Sequence, residues 1–443
     1  MRRLVMLLAL VAGCDRQLNA EWCSTHRDDQ DCINAGLVQV DAALPCPAQP
    51  CTTPGALICD TGRGGICVEC VPGGNDNPPG CHCASDDACH ECTVDEDCGT
   101  GAICLPDYTC VGGSTGSGSG STDNLLFATP NGTGDCSAGT PCSLKTAISM
   151  VTTQRHVIQL AAGVYEEGPI TIGQSMVLIG PSPGAGHQYR DPNDPSGRAV
   201  ISPATGANGP VVTITGGIVA LFELTIAGSL DDAGLECTGG TLELYHSIIR
   251  DNPKEGLTAS ACAMTVERSV FTKNGTTGTV YEALYADNCN PIAIRNNFFF
   301  GNGNNQSTKG AVHFHGTTIG DFRFNSVGYN LAGPMPNGNH PSPIGGVLCE
   351  SPMMNVRDDV ISKNTTLDFF GGFGPGSCVA MNSYVGGDAK FTSQTDLHLK
   401  NDSPTPAIVN NTASDCSYAH GYDLDFDARP LGGVCDLGAD ESR

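Results

Sequence analysis

The sequence predicts an all-β protein in which most of the chain forms a parallel β-helix solenoid. Glycine accounts for 57 of the 443 residues and charged residues for only 16%, which is typical of a turn-rich β protein. A pattern of short strands ending in Asn recurs at the spacing of one solenoid coil. A Cys-rich irregular segment and a Gly/Ser linker precede this part of the chain.

The repeat appears when four windows are aligned by their final Asn. They read LELYHSIIRDN (242–252), MTVERSVFTKN (264–274), IAIRNNFFFGN (292–302) and GDFRFNSVGYN (320–330). Apolar and polar residues alternate in the first half of each window, as in a strand. Stacked coils would bring together Leu244, Val266, Ile294 and Phe322 in one column, and Ile249, Phe271, Phe299 and Val327 in another. The final Asn residues would form a ladder of turns, where Asn tolerates left-handed backbone.

The first residues predict a lipoprotein signal peptide at 1–13. Arg2 and Arg3 precede an apolar run, 4–11, which is too short to span a bilayer. The run ends in Val-Ala-Gly-Cys, which resembles the lipobox of bacterial lipoproteins, and this implies lipidation of Cys14. The alternative is a plain signal peptide with a nearby Cys. We therefore expect the chain to be held in the bacterial cell envelope, at the outer membrane or cell surface.

The segment 14–111 is predicted to be stapled by disulfides. It carries 15 of the 24 cysteines and few large apolar residues, so an ordinary core cannot form. It resembles the Cys-rich stalk modules of myxobacteria, with equal five-residue gaps between Cys92, Cys98, Cys104 and Cys110. Zinc held near Cys81 and Cys89 is the alternative, but an oxidising compartment favours disulfides. A flexible linker, 112–122, separates this segment from the solenoid domain, 123–443.

The start of the solenoid domain reads LLFATPNGTGDCSAGTPCSLKTAISM (125–150), then VIQLAAGVYEEGPITI (157–172). These stretches resemble the opening of right-handed parallel β-helix proteins of the pectin-lyase-like superfamily. The resemblance implies a right-handed solenoid with a helix capping its open end. Ser143 is placed as the N-cap, and the apolar residues at helical spacing are Leu144, Ala147, Ile148 and Val151.

The C-terminal stretches 396–411 and 422–441 resemble the closing segment of bacterial choice-of-anchor domains, although Ala428 replaces a Gly of that pattern. Asp423, Asp425 and Asp427 alternate there and are candidates for a calcium site. They lack the Gly and terminal Glu of a calcium loop. We expect an end cap without a cofactor, with calcium as the alternative.

Nine cysteines follow the linker. We expect local bridges between Cys136 and Cys142, Cys349 and Cys378, and Cys416 and Cys435. Three further cysteines lie roughly one coil apart, so we expect one buried thiol among Cys237, Cys262 and Cys289.

The net charge of −25 argues against a nucleic-acid partner, because phosphate binding needs clustered Lys and Arg. It also argues against binding an acidic polysaccharide by bulk charge. The adjacent acidic pairs 231–232 and 358–359 are interpreted as solvated turns.

One outward surface carries candidate catalytic or binding residues. Strand alternation in AVHFHG should point His313 and His315 away from the core. We expect Asp321, Arg323 and Asn325 to share a face, with Arg295 one coil earlier. This stripe would suit a sugar acid, and a solvated face is the alternative.

Asp321 also lies in a stretch, DFRF, that resembles the DFxF motif of pectin methylesterases, where the matching Asp is the nucleophile. The stretch that supplies their partner acid is absent from this sequence, which leaves half of that mechanism.

These observations predict an envelope protein, lipid-anchored in the membrane, that displays a non-catalytic β-helix for adhesion or glycan binding. Its expected partners are a polysaccharide or another surface protein. An enzyme acting on uronate polymers, either a polysaccharide lyase or a carbohydrate esterase, is the first alternative. A structural spacer is the second.

Overall fold

The computed structural model describes residues 125–181, 197–278, 280–333, 343–372, 378–400, 403, 423–424 and 436–440, and the backbone of short strands between 58 and 112. The chain divides into two compact units, Met1–Thr93 and Val94–Arg443. The short strands form antiparallel pairs: β1 (Ile58–Asp60) with β2 (Ile66–Val68), β3 (His82–Cys83) with β4 (Cys89–His90), and β5 (Ala102–Cys104) with β6 (Cys110–Gly112).

The rest of the described chain forms a parallel β-helix, as predicted. Successive coils cross three parallel sheets, named here A, B and C. Sheet A contains β10 (Ile170–Ile172), β13 (Val212–Ile214), β16 (Leu235–Cys237), β19 (Leu257–Ser260), β22 (Leu284–Asp287), β26 (Val312–His315), β30 (Ile344–Cys349) and β33 (Leu367–Phe370). Sheet B contains β7 (Leu125–Ala128), β8 (Val157–Leu160), β11 (Met176–Ile179), β14 (Ile218–Phe222), β17 (Thr241–Tyr245), β20 (Ala263–Glu267), β23 (Ile292–Arg295), β27 (Gly320–Arg323), β31 (Met354–Arg357) and β34 (Ala380–Met381).

Sheet C contains β9 (Gly163–Gly168), β12 (Ala199–Pro203), β15 (Leu224–Ala227), β18 (Ile248–Arg250), β21 (Val270–Thr272), β24 (Phe298–Phe300), β28 (Ser326–Gly328), β32 (Val360–Ser362) and β35 (Tyr384–Val385). Two small pairs accompany the coils: β25 (Gly303–Asn304) with β29 (Leu331–Ala332), and β36 (Phe391–Ser393) with β37 (Asp396–Leu399).

The core is built from the predicted apolar columns. In sheet B, Val266 pairs with Leu244 on one side and with Ile294 on the other, and Ile294 pairs with Phe322. All four are fully buried. Burying an apolar side chain of this size contributes about 1.5–3 kcal/mol. The repeated column therefore fixes the register between coils.

The predicted Asn ladder is present and is one coil longer than expected. The Nδ2 group of Asn302 donates to Oδ1 of Asn330 at 2.9 Å, and Asn330 donates to Asn364 at 2.8 Å. The ladder residues themselves do not have left-handed backbone. The residue before each one does, as at Lys273 (φ 57°) and Tyr329 (φ 57°). The bend therefore turns each Asn side chain into the interior, where its amide bonds the next coil.

The predicted capping helix, α1, spans Leu144–Ser149. The Ser143 side chain accepts a hydrogen bond from the Thr146 amide at 3.2 Å, as an N-cap does. The Glu167 carboxylate of β9 accepts from the amides of Leu144 and Lys145, at 3.0 and 2.8 Å. Val151 lies beyond the helix end and packs against the core.

Two of the predicted disulfides, Cys136–Cys142 and Cys349–Cys378, are present. The one-coil spacing of three further cysteines produces a Cys237–Cys262 disulfide and a free, buried thiol. The other cysteine predictions lie outside the described side chains: Cys14, Cys92, Cys98, Cys104, Cys110, Cys416 and Cys435.

Candidate functional site

The residues predicted to share one outward face lie on two sheets. His313 and His315 are in β26 of sheet A, whereas Arg323 is in β27 of sheet B. The chain bends between these strands, with left-handed backbone at Gly316 (φ 62°). The two histidines and Arg323 therefore lie on the outer faces of different sheets.

On sheet B the predicted arginine ladder exists and contains one more member. Arg295 pairs in register with Arg323, and Arg323 pairs with Arg357. Each guanidinium has a carboxylate nearby: Arg295 to Glu267 at 3.6 Å, Arg323 to Asp321 at 3.0 Å, and Arg357 to Asp358 at 3.3 Å. The Arg323 side chain is only 7% exposed. The charge of each arginine in this ladder is therefore balanced by a neighbouring carboxylate.

Asn325 departs from the predicted face. Phe324 has left-handed backbone (φ 54°), so strand alternation ends before Asn325. Its side chain lies inside, where Nδ2 donates to the carbonyl of Ile294 at 3.0 Å and to Oδ1 of Asp359 at 3.1 Å.

One acidic pair, 358–359, departs from the interpretation as a solvated turn, whereas the pair 231–232 lies on an exposed bend as interpreted. Asp358 and Asp359 are fully buried, and burial raises the pKa of Asp359 well above its usual range. Asp232 lies 3.5 Å from the Lys254 ammonium, and Asp231 accepts from the Gly209 amide at 3.2 Å.

The richest set of ionisable groups lies on the outer side of sheet A, and we call it the histidine face. It consists of Tyr285 and Asp287 on β22, His313 and His315 on β26, and Glu350 just after β30. Register places Tyr285 beside His313 and Asp287 beside His315. Glu282 and Lys309 precede β22 and β26 along the chain, and both contact His313.

The buried centre of the histidine face is His313. Its Nδ1 lies 2.9 Å from Oε1 of Glu282, and its Nε2 lies 2.8 Å from Oε2 of Glu350. Lys309 reaches the same Glu282 oxygen at 3.2 Å. Nε2 can donate to Glu350, whereas Nδ1 lies 2.9 Å from both the Glu282 carboxylate and the Lys309 ammonium. Nδ1 donates to Glu282 in the imidazolium form and accepts from Lys309 in the neutral form.

These contacts set the protonation of the pair. Burial alone would lower the pKa of His313, but its hydrogen bonds to Glu282 and Glu350 outweigh burial and raise the pKa. The hydrogen bond from His313 lowers the pKa of Glu350. Nearby, burial raises the pKa of Glu255 to about 7. Both shifts, the raised pKa of His313 and the lowered pKa of Glu350, favour the charged form of the pair over the neutral one.

The rim of the histidine face is more open. His315 is 50% exposed and its Nδ1 lies 2.8 Å from Oδ1 of Asp287. The Tyr285 ring lies 5.0 Å from the His313 ring and 6.3 Å from the His315 ring, centroid to centroid. Glu350 is 38% exposed. The surface thus combines aromatic rings with carboxylates, the groups that orient sugar hydroxyls and amines.

Sequence reasoning found the two histidines but missed Glu282, Lys309 and Glu350. A signal was available for Arg357, because 354–364 reads MNVRDDVISKN, a fifth window of the same pattern. No comparable signal marks Glu282 or Glu350.

Among the described residues, no group of three or more His, Cys, Asp or Glu side chains is arranged to hold a metal ion. Asp423 is buried, and Asp425 and Asp427 lie outside the described part of the chain. Within that part, no helix has the length and apolarity to cross a bilayer.

No protein-family profile matches this sequence, and no curated protein matches it. A solved structure of a pectate lyase is similar over 72% of this chain and 96% of that chain, with 15% identity and a TM-score of 0.37. At that level the likeness carries no argument about activity. The parallel β-helix is assigned from the strand register of sheets A, B and C.

Proposed function

We propose that the protein is a lipid-anchored envelope protein whose β-helix binds a glycan without turning it over. The observation that carries this proposal is the histidine face, where the rings of Tyr285 and His315 lie beside the carboxylates of Asp287 and Glu350. Aromatic faces pack against sugar rings, while fixed carboxylates accept hydrogen bonds from the sugar.

The contacts favour binding over catalysis. Both nitrogens of His313 already hold carboxylates, and its side chain is 3% exposed. It is therefore poorly placed to take a proton from a substrate. Arg323, a candidate catalytic residue on the stripe expected to suit a sugar acid, is buried against Asp321.

One observation favours a second candidate, an enzyme acting on polysaccharide. His315 is half exposed and hydrogen-bonded to Asp287, which is an arrangement that a general base can use. Asp321, the nucleophile implied by the esterase-like motif, is on the other sheet. This separation weakens the esterase form of the alternative.

The test is to incubate the full mature chain with neutral, amino-sugar and uronate polysaccharides, with and without calcium. Unsaturated products, new reducing ends, released methanol and retention on immobilised glycan would be measured. We expect retention without turnover, and we expect Tyr285→Ala to weaken retention at least tenfold while Tyr384→Ala, on sheet C, does not. Turnover that is lost in His315→Ala would support the enzyme instead. Neither turnover nor retention in any assay would contradict both candidates and favour a structural spacer.

The anchor is tested separately. Cys14→Ala should release the chain from the membrane fraction of the native host, because a single lipidated residue provides the attachment. Retention of the variant in that fraction would contradict the lipoprotein part of the proposal.

A further inference from the structure

The accessible rim of the histidine face carries two carboxylates, and each is paired with a histidine. Asp287 and Glu350 each meet a histidine through one oxygen, at 2.8 Å in both cases. Their side chains remain 24% and 38% exposed. Glu282, which contacts His313, is only 3% exposed. A ligand on this face would therefore meet carboxylate oxygens on the accessible rim.

The nearby cations are engaged with carboxylates. The Lys309 ammonium lies 3.2 Å from Glu282, and the Lys254 ammonium lies 3.5 Å from Asp232. The three arginines of the ladder are on sheet B, each beside a carboxylate. A uronate or sulfated sugar on the histidine face would place like charges together, which costs affinity.

The Tyr285 ring provides a second reason to consider a cation. It is partly exposed, and the charges of Asp287, Glu282 and Glu350 act on it. Burial, followed by the charges of Asp287, Glu282 and Glu350, raises the pKa of Tyr285 to about 12. A neutral phenol ring flanked by carboxylates attracts an ammonium group to its face.

We infer that the histidine face takes a glycan bearing free amino groups, with its ammonium groups held between the Tyr285 ring and the carboxylates of Asp287 and Glu350. This inference rests on the proposed glycan-binding function and specifies the chemical class of the sugar. It excludes a sugar acid as the ligand of the histidine face.

The experiment measures binding of the full mature chain to four probes of similar length. These are a glucosamine hexamer, its fully N-acetylated form, a galacturonate hexamer and a lysine hexamer, each at low and high salt. We expect the glucosamine hexamer to bind at least tenfold more tightly than the other three, with affinity falling as salt rises. Asp287→Asn and Glu350→Gln should each weaken it tenfold or more.

The matched control is Glu166→Gln, which removes one exposed carboxylate from β9 on sheet C and should leave the affinity unchanged. Thermal unfolding of each variant would show whether a loss of affinity comes from misfolding. The comparison of the four probes on the unmodified chain is independent of how the variants fold.

Equal affinity for the N-acetylated hexamer would overturn the inference while leaving the glycan-binding function in place. Equal affinity for the lysine hexamer, or an equal loss of affinity in Glu166→Gln, would show that an acidic protein attracts any polycation. Either result would overturn the inference. Preference for galacturonate would also overturn it. Binding to none of the sugars in this or the wider panel would remove both the inference and the proposed function.

Discussion

The Glu282 carboxylate lies 2.9 Å from the His313 imidazole, and both side chains are only 3% exposed. The two residues are 31 positions apart and meet because consecutive coils stack in sheet A. A buried carboxylate is costly unless its charge is compensated. The histidine is thus a structural part of the coil interface as well as the centre of the candidate site.

The first prediction concerns removal of this partner. His313→Ala should lower the free energy of unfolding by about 3 kcal/mol, because Glu282 stays buried with one partner fewer. The folded pKa of His313 is raised, so its stabilisation is complete below the unfolded pKa and is lost as pH rises through the folded value. Urea unfolding at several pH values would measure the difference, which should shrink on going to alkaline pH. His315→Ala, on the same strand but exposed, should cost less than about 0.5 kcal/mol; equal losses in both variants would contradict the assignment.

The second prediction concerns Asp359, which stands in the polar ladder position held by Asn325 one coil earlier. Its Oδ1 accepts from the Asn325 amide and side chain at 2.8 and 3.1 Å. Its Oδ2 is buried and, within the described part of the chain, makes no hydrogen bond. The matching Nδ2 of Asn325 donates to the carbonyls of Ile294 and Arg323. A carboxylate fits this position only when protonated.

Asp359→Asn should therefore stabilise the protein by about 1–3 kcal/mol near neutral pH. Burial raises the folded pKa of Asp359, so the wild type loses stability as pH rises from the unfolded pKa towards the folded one. The gain from Asn should consequently shrink on going towards pH 4. Urea unfolding at acid and neutral pH checks this, and a gain that is independent of pH would argue against a protonated Asp359.

The third prediction tests the long Asn ladder. Asn302 bonds both neighbouring coils: its Nδ2 donates to the Phe271 carbonyl and Asn330, and its Oδ1 accepts from Asn274. Asn302→Ala leaves several buried groups without partners and should cost about 3 kcal/mol or more. The exposed Asn305 provides the control. Asn305→Ala should change the free energy of unfolding, measured by chemical denaturation, by less than about 0.5 kcal/mol. Similar midpoints for the two variants would show that the ladder contributes little.

The fourth prediction concerns the thiol of Cys289. It is buried, and burial raises its pKa, so the reactive thiolate is scarce and inaccessible. Iodoacetamide at pH 8 should leave the Cys289 peptide unmodified in the folded protein and modify it fully after unfolding without reductant. Peptide mapping measures this, with Ser393→Cys as an exposed reference thiol. Modification of Cys289 at the rate of the reference would place the thiol at the surface.

The sequence pattern predicts the coil interior well because its requirements are local and repetitive. Each coil from Asn252 to Asn330 supplies an inward apolar residue and a buried Asn at fixed places, as at Ile294 and Asn302. The fifth window, ending at Asn364, was missed because it follows Asn330 by 34 residues rather than 28. A longer connection changes the spacing without changing the coil.

The candidate site is less predictable because its parts come from three coils. Glu282 and Glu350 are 31 and 37 residues from His313, and only the stacking of sheet A brings them together. Alternation located His313 correctly on the outer side, but it does not reveal that neighbouring coils bury it. The bend at Phe324 similarly ends the alternation that placed Asn325 outside.

The Asn ladder gives the solenoid a direction. Every side-chain amide from Asn252 to Asn330 donates towards the following coil, and the Asn364 amide donates to the carboxylate of Asp368. The aligned amides add their dipoles along the axis, so the two ends of the stack differ electrically, and an acid occupies the donor end. A coil could be duplicated within the stack without breaking this order. Reversing a coil, or ending the row on another donor, would leave a hydrogen without an acceptor in the interior.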